Sequence, residues 1–496
     1  VALLRDLLRE AGIGAAAGDA NPVVTRVTHD SREAGEGTLF VAVTGRRQDG
    51  HAHAADAVVR GATAVVAERP PDPPVPSVPV VLVPDSRLAL SALADAFHGH
   101  PSRSLTVAGV TGTDGKTTTA TMLWAAWRAA GLHSGLISTV DFRDGDSVVA
   151  NTTRITTLEA VETQRRLREL RDSECTHVVV ETSSHGLEMH RVDHVAYRLA
   201  VYTRITSEHL DVHGDRERYF AAKARLLEMV GARRDGVAVL DGDDEYAYPR
   251  LAAMPVAARL AYSASGGTAD LVAEDVSAGP RGVTFRARTP WGSADVRLQL
   301  AGRFNAGNAL AAIGAACSSG ASLDAAVAGI TTLDRVHGRM ERVDVGQPFS
   351  VVIDYAHTAD SLEKVLTELR VATTRRLWVV FGSAGERDVD KRAVMGEVAG
   401  RLADVVVVTD EDPRGEDRVA ICEQIASGAV QAGARRGDTL HVIPDRAEAI
   451  AFALGAAAPG DTILCAGKGH ESSIVTATGS VAWDERTVVE EILRRT

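Results

Sequence analysis

Cysteine is scarce in this chain. Cys175, Cys317, Cys422 and Cys465 are spread through 496 positions, with no CxxC pair. That spacing suggests neither a disulfide framework nor a zinc site. It reads as buried small hydrophobes in a reducing compartment. Basic excess is missing too: 54 Lys and Arg stand against 66 Asp and Glu, a net charge of −12. No basic tract stands out, so a nonspecific nucleic-acid or membrane-surface role is disfavoured. No run of eighteen apolar residues occurs, and no membrane span is expected. The opening "VALLRDLLREAG" is amphipathic and charged, which is not a signal-peptide pattern. The cytoplasm is the expected location. What the chain does have is apolar content, 45%, over a length that accommodates about two to four domains.

"VAGVTGTDGKTTTA", Val107–Ala120, carries the first chemical signal. The usual phosphate-loop pattern wants a Gly with four residues between it and Gly-Lys-Thr, and Val110 stands there instead. The physics is still available. "LTVAGV" reads as a buried strand, Gly112 and Gly115 permit a tight turn, and "TTTATMLWAAWRAAG" reads as a helix. Backbone N–H groups, Lys116 and a helix N-terminus would then cradle a polyphosphate, with Thr113 and Thr118 beside it. The Thr117 hydroxyl suits Mg²⁺. The plainer alternative is an ordinary Gly-rich turn, which leaves the lysine unexplained.

Three α/β units are expected. Residues 1–100 hold short strands such as "LFVAV" and "ATAVVAE", followed by the Pro-rich surface loop "RPPDPPVPSVP". Residues 101–336 form a central phosphate-loop domain with a mostly parallel sheet, closed by the hairpin "GVTFRARTPWGSADVRLQL". Residues 337–496 alternate strands and helices in a Rossmann-like pattern, each strand ending in a polar or Gly-rich loop.

Candidate chemistry clusters at strand ends. Glu181 closes "HVVVE", with Ser184 and His185 after it, and a carboxylate there can reach a metal. "HLDVHG" supplies His209, Asp211 and His213, in no typical zinc spacing. Lys223 shares a helix face with Tyr219 and Leu226 or Leu227, where it either snorkels or has a function. Of Asn305 and Asn308, one is expected to cap the helix that follows and the other to reach a base. "HGRMERV" carries Arg339 and a strand end carries Asp354, while Arg387, Arg414, Gly467, Lys468 and Glu471 put cations and anions at one end of the third sheet, a pattern for a zwitterionic substrate.

In order and spacing, "THDSREAGEGTLFVAVTGRRQDG", "GVTGTDGKTTT", "ETSSHGLEMHRVD", "HLDVHGDRERYFAAKARL", "GRFNAGNALAAI", "GRMERV", "DYAHTADSLEKVL", "GERDVDKR", "DEDPRGED" and "AGKGHE" resemble the Mur ligases of peptidoglycan synthesis. Within that family the resemblance points to the branch adding a third residue, a diamino acid, to UDP-N-acetylmuramoyl-L-alanyl-D-glutamate. It implies that the first domain binds the uridine nucleotide through Ser31 and Arg32. Lys116 and Thr117 would serve ATP and Mg²⁺, with Glu181 and His209 as further metal ligands. Thr156, Thr157, Ser184 and Arg191 would hold the muramoyl dipeptide. Lys223 matches the family's carbamylated lysine, which supports a second metal. Asn305, Arg339 and Asp354 would bind the adenine nucleotide. Arg387, Asp412, Arg414, Gly467 and Glu471 would meet the incoming amino acid, and a monomer is expected.

Some positions depart from the family pattern. Asp114 stands for Asn, placing an extra carboxylate near ATP, which is unfavourable unless it faces a metal or solvent. Ile155 replaces Asn, and Arg204 falls in the substrate channel. Asp412 replaces the Asn of the diaminopimelate-type motif, where it either attracts an ammonium or pairs with Arg414. Diaminopimelate is therefore the leading amino acid, with lysine and ornithine as alternatives. A non-catalytic nucleotide-binding scaffold is the competing class, and only Asp114 and Ile155 support it.

Overall fold

The computed structural model describes residues 1–14, 20–45, 48–206, 213–279 and 282–495. The first unit is a four-stranded parallel sheet, in the order Arg26–Thr28, Thr38–Val41, Ala62–Ala67 and Val80–Leu82. The helix Ser86–Phe97 starts where Asp85 accepts from the N–H groups of Arg87 and Leu88. Its apolar face closes the core with Leu4, Leu7 and Leu8, and Ala160 of the next unit joins that core.

Eleven strands make the central sheet. The phosphate-loop strand Thr106–Thr111 lies between His177–Glu181 and Tyr197–Tyr202, and all three are parallel. Such strands are buried on both faces, which explains continuous apolar runs such as "HVVVE". Helices Lys116–Ala129, Asn305–Ser318 and Leu323–Thr331 cover one face. Helices Ala160–Asp172 and Arg216–Gly231 cover the other. The expected hairpin is present as Gly282–Thr289 and Gly292–Leu298, and it extends this sheet as antiparallel edge strands.

The third unit is a six-stranded sheet ordered Glu341–Val343, Ser350–Asp354, Thr462–Ala466, Leu377–Phe381, Val405–Val408 and Leu440–Val442. All pairs but the first are parallel. The carboxyl end of Ser350–Asp354 faces the phosphate loop across a shared cavity of about 700 Å³. Ligands of open α/β sheets bind outside the carboxyl ends of strands, and here two sheets aim those ends at one space.

Candidate active site

The phosphate loop is shaped by two glycines. Gly112 has φ +151°, and a Cβ there would lie 1.8 Å from Thr203 Oγ1. Gly115 has φ +82°, and a Cβ there would lie 2.4 Å from Asn308 Oδ1. Neither position has room for a side chain, and both backbones are left-handed. Val110, which breaks the sequence pattern, is a buried residue of the strand. Lys116 opens the helix, and its Nζ donates to Gly112 O (3.1 Å) and Thr113 O (2.7 Å). Lys223 Nζ donates to the same Gly112 oxygen at 2.7 Å, from a side chain only 1% exposed. Two ammonium groups converging on one carbonyl create local positive potential that a polyphosphate would relieve.

Thr117 and Glu181 form the adjoining corner. Thr117 Oγ1 donates to both carboxylate oxygens at 3.0 and 3.1 Å, and Thr139 N donates to Glu181 Oε2 at 2.9 Å. A hydroxyl and a buried carboxylate at this spacing are hard oxygen donors of the kind Mg²⁺ takes, so the residues present fit that ion. Thr113, Gly115, Thr118, Thr156 and Ser184 also line the cavity. Ser184 Oγ contacts His213 Nε2 at 3.1 Å. His209 lies outside the described residues.

The opposite wall comes from the third unit. Arg339 Nη2 reaches Thr117 Oγ1 at 3.4 Å, and its guanidinium sits 4.6 Å from the Tyr355 ring centre. Asp354 accepts from Met340 N (2.7 Å) and Ala356 N (2.8 Å). Burial raises its carboxyl, opposed by Arg339 and those two N–H groups. The asparagines are not caps. Helix Asn305–Ser318 begins after Phe304 with no side-chain cap. Instead Asn305 Nδ2 donates to Ala301 O (2.6 Å) and Asn308 Nδ2 to Asn305 Oδ1 (2.9 Å). Burying the helix start against the glycine turn left those amides to satisfy each other and a loop carbonyl.

A second cluster sits at the ends of Val405–Val408 and Thr462–Ala466. Asp412 is 3% exposed. Its Oδ1 accepts from Lys468 Nζ (2.8 Å) and Val475 N (2.9 Å), and its Oδ2 from Arg154 Nη1 (2.8 Å). Lys468 also holds Glu471 at 2.5 Å. Burial alone would raise the Asp412 carboxyl, but Lys468, Val475 N–H and Arg154 hold it below the ordinary range. Arg414 has φ +54°, and its Nε is buried with no hydrogen-bond partner. Gly467 turns at φ +100° beside Glu411. Arg387 is exposed.

Other expected substrate residues lie elsewhere. Ser31 and Arg32 occupy a 3₁₀ turn of the first unit, where Arg32 is exposed and folded onto Asp30 at 2.6 Å. Thr157 is buried behind the cavity wall. Its hydroxyl donates to Glu181 O (3.0 Å) and accepts from Ser183 N (2.8 Å). Arg191 bridges Thr157 O and Glu159, 3.0 and 2.5 Å away.

These parts lie in three units whose sequences match known patterns in the same order. "Mur ligase family, catalytic domain" matches residues 23–98, "Mur ligase middle domain" 110–316 and "Mur ligase, glutamate ligase domain" 338–469. The chain belongs to the Mur ligase family. A UDP-N-acetylmuramyl-tripeptide synthetase of Roseiflexus sp. is 47% identical, over 94% of this chain and 93% of that protein. A UDP-N-acetylmuramoyl-L-alanyl-D-glutamate--2,6-diaminopimelate ligase of Geobacillus kaustophilus is 41% identical, over 96% of each. A solved structure of a ligase of that second name is 31% identical, with TM-score 0.66 and 95% of both chains covered.

Two departures from the Mur ligase pattern find partners that sequence reasoning missed. Asp114 lines the shared cavity and accepts from Lys364 Nζ at 2.6 Å, while Lys364 also holds Asp360 at 2.5 Å. Asp412 does not pair with Arg414. Lys468 and Arg154 take both its oxygens, because the Arg414 backbone is turned onto Val475 O (2.9 Å). Arg392 was missed as well. It is 1% exposed and binds Glu416 (2.9 Å) and Ala384 O (3.2 Å), tying the loop of Arg387 to the loop of Arg414. A helical arginine in "DKRAVMG" reads as solvated surface, and only its burial reveals this role.

Proposed function

We propose that this Mur ligase uses ATP to join meso-diaminopimelate to UDP-N-acetylmuramoyl-L-alanyl-D-glutamate, and that it does so in the cytoplasm as a monomer. The observation that carries the reading is the cavity between two sheets, with Lys116, Thr117, Glu181 and Lys223 on one wall and Arg339 and Asp354 on the other. The glutamyl γ-carboxylate would attack the γ-phosphorus of ATP and release ADP. The amine would then attack the acyl carbon, lose a proton and expel phosphate. Lys116 offsets charge on the transferring phosphoryl group, and the two walls align the reactants. Mg²⁺ held by Thr117 and Glu181 would neutralise further phosphate charge.

Carbamylation of Lys223 belongs to the same reading. Addition of CO₂ to its neutral amine, with loss of one proton, would turn one of two crowded ammonium groups into a carboxylate. Diaminopimelate is favoured over lysine and ornithine because the Asp412 carboxylate is already neutralised by Lys468 and Arg154, whereas Arg414 keeps a buried donor for a distal carboxylate. The test is substrate-dependent ADP release with the uridine-linked dipeptide and each of the three amino acids. A kcat/KM for diaminopimelate at least tenfold above the others is expected. Equal or better use of lysine or ornithine would overturn the amino-acid assignment, and no release with any of them would overturn the ligase reading.

A further inference from the structure

The amino ends of the central strands carry a separate constellation. His133 precedes the strand Ser134–Ile137, Asp144 ends Asp141–Asp144, and Cys175 lies just before His177–Glu181. Ser134–Ile137 and His177–Glu181 run parallel, so this corner is at the opposite end of the sheet from Glu181. Backbone contacts fix it. Thr176 N and His177 N both donate to His133 O, at 2.9 and 3.3 Å, and Cys175 N donates to Leu170 O at 3.0 Å.

Asp144 Oδ1 is the shared atom. His133 Nε2 lies 3.0 Å from it and Cys175 Sγ lies 3.4 Å from it. All three ligand atoms fall within 4.8 Å of one another. Tetrahedral zinc, with bonds of about 2.0 Å to N and O and about 2.3 Å to S, sets N and O about 3.3 Å apart and S and O about 3.5 Å apart. Two edges of that tetrahedron are therefore already built to within a few tenths of an ångström.

We propose that His133, Asp144 and Cys175 bind Zn²⁺, with water as the fourth ligand. Imidazole, thiolate and carboxylate together select zinc over Mg²⁺, so the site does not compete for the ion used at the cleft. Binding replaces the thiol proton: aqueous Zn²⁺ and the thiol give a zinc thiolate and one released proton. His133 and Asp144 are 39% and 38% exposed, which gives the ion a route in. The bound ion would tie the hairpin Asp141–Ala150 to the sheet. Cysteine spacing alone does not suggest such a site. One cysteine suffices when folding brings a histidine 42 positions away to it through Asp144.

The test is titration of the chelator-treated full chain with Co²⁺ as a spectroscopic probe and Zn²⁺ as competitor. Wild type should show a thiolate-to-cobalt charge-transfer band that one equivalent of Zn²⁺ abolishes, and Cys175→Ser should lack it. His133→Ala removes an exposed side chain. It should fold normally, keep its turnover and bind zinc at least tenfold more weakly. A band that persists in Cys175→Ser, no band in wild type, or unchanged affinity in His133→Ala would overturn the proposal.

Discussion

Replacing Asp412 with Asn separates what its charge suggests from what its surroundings dictate. From the motif alone, Asn would remove an unwanted negative charge and sharpen selection of diaminopimelate. The structure reverses that expectation. The carboxylate receives two cations and one N–H, at 2.8, 2.8 and 2.9 Å, with its side chain 4% exposed and that of Lys468 fully buried. An amide keeps the shape, but its NH₂ must face a cation. Removing one member of a buried pair costs about 3–5 kcal/mol. Glu471 still neutralises Lys468 in part, so a loss of about 2–3 kcal/mol is expected. Urea unfolding should show this as a lower midpoint for Asp412→Asn. The KM for the amino acid should rise about tenfold, since the loop bearing Arg414 is anchored through the same carboxylate. Arg154→Met, at a part-exposed partner, should cost about 1 kcal/mol and be non-additive with Asp412→Asn. An Asp412→Asn protein within about 0.5 kcal/mol of wild type, with unchanged KM, would refute the reasoning.

Lys364→Ala should raise the KM for ATP several-fold by exposing the Asp114 carboxylate to the phosphates. Asp114→Asn in the same chain should restore it, and an unchanged KM in Lys364→Ala would contradict the pairing. Glu341 accepts from His337, Gly338 N and Arg486, at 2.9, 2.8 and 2.8 Å. Burial pushes its carboxyl up, but these partners outweigh it and hold it at about 2. Its contribution to stability is thus complete above its ordinary 4.5 and is lost as pH falls from there through about 2. The gap in unfolding free energy between wild type and Glu341→Gln, measured by urea titration, should accordingly be a few kcal/mol near neutral pH and close in acid. His337 works in the opposite sense, because Glu341 holds its imidazole above 6.5 and that stabilisation fades as pH rises through the folded value.

The sequence by itself determined the parts that are local. Strand, glycine turn, lysine and helix are consecutive from Thr106 to Ala129, and φ freedom at Gly112 and Gly115 with a buried strand before them is enough to build a phosphate cradle. The apolar runs "HVVVE" and "VVVV" announced strands covered on both faces for the same reason. Tertiary structure decided every pairing that crosses the chain. Lys364 meets Asp114 across 250 positions and Arg154 meets Asp412 across 258. No periodicity or spacing encodes such contacts, since they depend on how the second and third units pack. The helix starting at Asn305 lost its expected cap because its first turn is buried on the phosphate loop. Arg392 reads as an ordinary surface cation and Lys468 as part of a loop cluster for substrate, yet both are buried against carboxylates that only the fold delivers. A charge's sign is written in the sequence, but the partner that neutralises it is chosen by packing, and packing turned Asp114 and Asp412 from apparent defects into ties between units.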